Sequence, residues 1–212
     1  MLVGILDELE PGHGFTTDRI AGGLTSGFPW HDWERPHPQL RDPEAWWGLV
    51  VEVMRRGMVS VGLPEPLARA AAERVPAEYP RLEGWRLYPD SLAALRRVRS
   101  AGWRSAMLSN HCPELGSIAA GLGLDDAFEH VFNSAEIDYE KPNPEAFRIA
   151  LAGLGDPDPD TVVMVGDSLR ADVQGAGACG IAGILVRRQE PPDEPGITWA
   201  STLSEAVRMA LA

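Results

Sequence analysis

From Leu87 onward, short apolar runs alternate with helical patterns, and this alternation constrains the fold more than any other feature of the chain. The clearest run, Thr161 to Val165, is apolar and β-branched and ends at Gly166-Asp167. Trp103 to Leu108 ends similarly at Ser109-Asn110, and His130 to Asn133 and Ile181 to Val186 supply two more candidate strands. Helix signals lie between them. Asp90 can cap a helix through Leu92, Leu95 and Val98 that stops near Gly102. Pro113 to Leu122 reads as another helix, and one more is expected after Asp167. Asn143-Pro144 is a cap with a first-turn proline, and Thr202-Leu203-Ser204-Glu205 matches a capping box. Such alternation predicts a parallel sheet covered on both faces, with ligands beyond the carboxyl ends of the strands. Ser109 and Asp167 then share one mouth.

The first half follows a different pattern. Leu2, Ile5, Leu6 and Leu9 recur at helical spacing. Gly27 to Pro43 is crowded with Pro, His and Trp and predicts an irregular loop. Pro43 opens a helix with Trp46, Trp47, Val50, Val51 and Met54 on one face, and Glu65 to Glu78 predicts another. The expected organisation is a helical unit over residues 1–86 and an α/β unit over residues 87–212.

The formal charge of −12, from 31 acidic and 19 basic residues, disfavours nucleic acid and anionic membranes as partners. Hydrophobic residues at 44% and charged residues at 24% fit a globular chain. No apolar run approaches the ~20 residues that span a bilayer. Met1 to Leu6 lacks the basic flank of a signal peptide, and two cysteines form no disulfide framework or metal spacing. The expected location is the cytoplasm.

Three short motifs can carry chemistry. Val163 to Asp172 delivers Asp167 at a strand tip and Asp172 in the next turn. Two carboxylates there suit a hard cation such as Mg²⁺, and a capping pair at a strand-to-helix junction reads equally well. Ser109-Asn110 offers a hydroxyl to a phosphate oxygen, although Ser-Asn is also a plain turn. Lys141 precedes Pro142 and is held extended before a helix start, where an ammonium pairs with anions; an exposed loop lysine is the commoner case.

In this order, Ser109-Asn110, Lys141-Pro142 and Gly166-Asp167-Ser168 with Asp172 resemble the second, third and fourth motifs of the haloacid dehalogenase superfamily. The resemblance covers Leu87 to Ala212 and implies a Rossmann-like parallel sheet core. The helical first half resembles the cap of that family. It implies that Ser109 binds the phosphoryl group, that Asn110 shapes its loop, and that Lys141 neutralises charge. Asp167 would hold Mg²⁺, with Asp172 as second ligand or outer partner. The Gly-Asp-Ser form resembles the phosphatase branch rather than the metal-free dehalogenases.

The family's opening segment, an apolar strand ending in a nucleophilic Asp, has no match here. Asp7 is the nearest candidate, but Leu9 occupies the position of the second acid and the helical spacing opposes a strand. Without that strand, two neighbouring strands lose their ladder and are expected to close up or borrow one. An upstream start with an additional strand is the corresponding expectation. Cys112, His31, His37, Trp30, Trp33, Trp46 and Trp47 read as packing residues. The expected function is Mg²⁺-dependent hydrolysis of a small phosphoester. A silent phosphate- or partner-binding relative and a 2-haloacid dehalogenase are the alternatives.

Overall fold

A computed structural model describes residues 1–212. Helices α1 (Leu2–Leu9) and α2 (Thr17–Ala21) open the chain. The Pro-rich stretch that follows is more regular than its composition predicts, with 3₁₀ turns at Pro29–His31 and Pro38–Arg41. Each begins with its proline, whose fixed φ and missing N–H cost nothing at a first helical position. Helix α3 (Pro43–Ser60) is capped by Asp42, which accepts from the Glu44 amide, and α4 (Glu65–Glu78) packs along it. Trp46 and Trp47 stack edge-on at 4.7 Å inside an 18-residue buried cluster. That cluster also takes in Cys112, Ile118 and Ala135, so the helical half buries its apolar face partly against the second half. Trp47 Nε1 donates to Glu114 Oε1 at 2.9 Å across this junction.

The second half runs α5 (Ser91–Ser100), β1 (Ala106–Ser109), α6 (Leu115–Gly121) and β2 (His130–Asn133). Helices α7 (Ser134–Ile137) and α8 (Pro144–Gly153) precede β3 (Val163–Gly166). The chain closes with α9 (Gly175–Gly177), β4 (Ala182–Val186), β5 (Trp199–Ala200) and α10 (Leu203–Ala210). Two local expectations are corrected, and one short strand is new. Asp90 does not cap α5; its carboxylate accepts from the Ser204 amide at 2.9 Å and from Arg188 at 3.1 Å. A tether to the start of α10 displaces the local cap. After Asp167 the chain makes a wide π-type turn over Leu169–Gln174 before a single α turn. The two-residue strand β5 is too short to leave a pattern.

All strand pairs are parallel, but they form two sheets: β1 with β2, and β3 with β4 and β5. The expected closure of β1 onto β3, or the borrowing of a strand, does not occur. The two strands instead line a slot of about 450 Å³, walled by Met107, Leu108, Val163 and Val165, with Leu95 and Val98 of α5 also against it. Every residue of β1 and β3 is only half-buried, whereas strands in the middle of a covered parallel sheet are normally buried. The second half accordingly holds two buried clusters of three residues each.

Candidate functional site

The carboxyl ends of β1 and β3 open on one cleft. At the end of β1, Asn110 acts as a clip: its Nδ2 donates to the Lys141 carbonyl at 2.9 Å, and the Lys141 amide donates to its Oδ1 at 2.7 Å. Two reciprocal hydrogen bonds fix the lysine loop against the serine loop. Asn143 caps α8 through the Glu145 amide, as its sequence position predicts, and its Nδ2 donates to the Trp33 carbonyl.

Lys141 is 9% exposed. Its ammonium donates to the Leu108 carbonyl at 2.7 Å and to Asp172 Oδ1 at 2.6 Å. Asp172 is buried in the π-type turn, where its Oδ2 accepts from the Ser168 amide at 2.9 Å. Ser168 holds the turn by accepting from the Ala171 amide. A side chain at Gly166 would collide with this carboxylate, because a Cβ there would lie 2.1 Å from Asp172 Oδ2. Glycine is required there by close approach, not by backbone torsion.

Ser109, Asn110, Lys141, Asp167 and Asp172 all line a cleft of about 430 Å³. The five residues singled out in the sequence are therefore brought together. Both oxygens of Asp172 are engaged by protein groups, whereas Asp167 is exposed in the cleft. No three His, Cys, Asp or Glu side chains gather closely enough to hold a metal alone. A hard cation at Asp167 would have to take its remaining oxygens from water and ligand, which is the usual habit of Mg²⁺.

Other residues also line the cleft, among them Trp30, His31, Trp33 and Arg170. The first three read from sequence as packing residues. Trp30 stacks on Phe28 at 4.6 Å, and His31 Nδ1 accepts from the Phe28 amide, which leaves Nε2 as the proton-bearing nitrogen of the neutral ring. The Arg170 guanidinium stands 5.4 Å from the Trp33 ring centroid. Only the fold over the strand ends reveals their placement. Arg41 pairs with Asp138 at 2.7 Å, and the His37 amide donates to the Asp138 carbonyl, seating the loop beside Lys141.

Asp7, the nearest candidate nucleophile, and Cys112, read as a packing residue, both lie apart from this chemistry. Asp7 is exposed on α1, 3.1 Å from His13 Nε2, and does not line the cleft. Cys112 is buried, and burial pushes its thiol up to about 12, so it stays protonated and inert.

A family description for haloacid dehalogenase-like hydrolases matches residues 21–180. The chain is 35% identical over 160 residues to the phosphoserine phosphatase of Thermus thermophilus, a match covering 74% of this chain and 63% of that protein. It is 31% identical to (S)-2-haloacid dehalogenase 1 of a Pseudomonas species, covering 78% of this chain and 72% of that one. The solved structure of a HAD phosphatase from Thermococcus onnurineus superposes with a TM-score of 0.64 at 22% identity, over 98% of this chain and 87% of the other. The chain spans about three fifths of the length of several curated relatives that it matches.

Proposed function

The chain belongs to the haloacid dehalogenase-like hydrolases, and within that family we propose that its cleft serves Mg²⁺-dependent hydrolysis of a small phosphorylated metabolite. The observation that carries this reading is the convergence of Ser109, Asn110, Lys141, Asp167 and Asp172 on one cleft. Similarity to a phosphoserine phosphatase supports it.

In this reading Ser109 donates its hydroxyl to a phosphoryl oxygen, and Asn110 keeps that loop in register with Lys141. The Lys141 ammonium, held by Asp172, faces the phosphoryl group as a fixed positive charge that does not reorganise during reaction. Asp167 holds the cation directly, and Asp172 acts behind it by orienting Lys141 and the Ser168 amide. When bound, Mg²⁺ neutralises phosphoryl charge and orients the ester. Trp30, Trp33 and Arg170 form the outer rim and select the leaving group.

A second reading is favoured by one observation: Asp167 and Asp172 are the only carboxylates lining the cleft, and both are assigned to the metal side. No acid is left to attack phosphorus. Residues 1–212 by themselves would then bind phosphate without turning it over. Assaying p-nitrophenyl phosphate with and without Mg²⁺, on this chain and on one extended upstream of Met1, separates the two. Mg²⁺-dependent release that the extension restores supports the phosphatase. Silence from both, with phosphate still bound by calorimetry, supports the binder. A metal-free dehalogenase is disfavoured by the paired acids, and Mg²⁺-independent chloride release from 2-chloropropionate would revive it.

A further inference from the structure

Beside Lys141 lies a buried carboxyl that the chemistry above does not use. Glu140 is 2% exposed, and its Oε2 has no hydrogen-bond partner. That atom lies 3.8 Å from His37 Nε2, which itself contacts the Asp32 carbonyl at 3.0 Å. Ser134 at the start of α7 favours the ionised form of the same carboxyl, opposing the effect of burial, and its Oγ accepts from the His111 amide, two residues beyond Ser109. Asp138 contributes a like charge and is paired with Arg41, while the Lys141 ammonium is committed to Asp172. Glu140 thus sits where three segments meet: the loop after β1, the loop carrying Lys141, and the Pro29–Arg41 segment that bears Trp30, His31 and Trp33.

We infer that Glu140 is a positioning residue, whose buried carboxyl opposite His37 couples the seating of the Pro29–Arg41 segment over the cleft to the placement of Lys141. The physical reason is its missing partner. A neutral carboxyl is tolerated in this pocket, but an ionised one carries an oxygen that no donor reaches, and such a group is costly when buried. Burial is the main cause that pushes this carboxyl up to about 7. Because its proton is held more tightly in the seated form than in water, seating is strongest below the ordinary carboxylate range. It weakens as pH rises through about 7. The consequence for turnover rests on the phosphatase reading, whereas the seating itself does not.

Hydrogen exchange at the His37 amide, which donates to the Asp138 carbonyl, reports seating directly. It is to be measured on the 212-residue chain from about pH 5 to about pH 9, corrected for intrinsic exchange, beside a carbon-detected titration of Glu140. Protection is expected to fall by roughly tenfold or more across neutrality, since each unit of displacement is worth about tenfold. Glu140→Gln cannot ionise, and should keep the protection and flatten its pH profile. The inference is overturned if the variant shows the parent's profile, or if Glu140 titrates in the ordinary carboxylate range. The titration decides the matter alone should the variant fail to fold. Binding of inorganic phosphate, followed by calorimetry, tests the phosphatase reading separately: its absence with the exchange profile intact removes that reading and leaves the coupling.

Discussion

The Lys141 ammonium lies 2.6 Å from Asp172 Oδ1 and 2.7 Å from the Leu108 carbonyl, so one buried ion pair ties the end of β1 to the turn after β3. Removing the acid strands the cation in a buried site. Asp172→Ala is expected to cost about 3–5 kcal/mol, read from urea unfolding. A loss below about 1 kcal/mol would mean that the ammonium finds water and the pair is not structural.

Gly166→Ala tests the same junction without touching a charge. The new methyl would overlap the Asp172 carboxylate, which is itself buried and held by two hydrogen bonds. A stability loss of about 1–3 kcal/mol is expected, together with weaker phosphate binding, because Asp172 must swing away from Lys141. Unchanged calorimetric affinity for phosphate would show that the cleft does not depend on this contact.

Asp167→Asn removes the cleft's one unengaged carboxylate. The fold should be unaffected, since surface changes away from packed features usually lie within ±0.5 kcal/mol. Mg²⁺ binding by calorimetry, with phosphate present, should be lost. Persistent binding of the cation in the variant would relocate the metal away from Asp167.

The two cysteines should separate cleanly under alkylation. Cys112 is 1% exposed and burial keeps its thiol protonated, while Cys179 is half-buried near the surface. Iodoacetamide on the native chain, read by mass spectrometry, is expected to modify Cys179 alone and to reach Cys112 only in denaturant. Labelling of native Cys112 would contradict its placement in the core.

What the sequence discloses is what local physics decides. The bounds of α4 and β2 are readable to the residue, and Asn143 caps α8 as its place before Pro144 predicts. Four of the cleft residues are legible because each lies at a strand end or opens a turn, and Asp172 because it follows Asp167 within the next turn. Asp90 misleads because a partner 114 positions away outcompetes its own helix for its carboxylate. Trp30, His31 and Trp33 look like packing because their place at the cleft depends on a loop folding back onto Asp138 and Asn143, contacts that leave no periodic trace. Glu140 looks like any charged loop residue until its burial is known.

The division of the strands into two sheets has a mechanical outcome. With no ladder between β1 and β3, the span from Ser109 to Asp167 is set by surrounding helices and by one ion pair, as two leaves are set by a clasp. A phosphate touching Ser109 on one leaf, with a cation on Asp167 on the other, would act as a tie-bar between them. Ligand would then stiffen the whole second half rather than the cleft alone, and melting of that half would sharpen into a single transition on saturation.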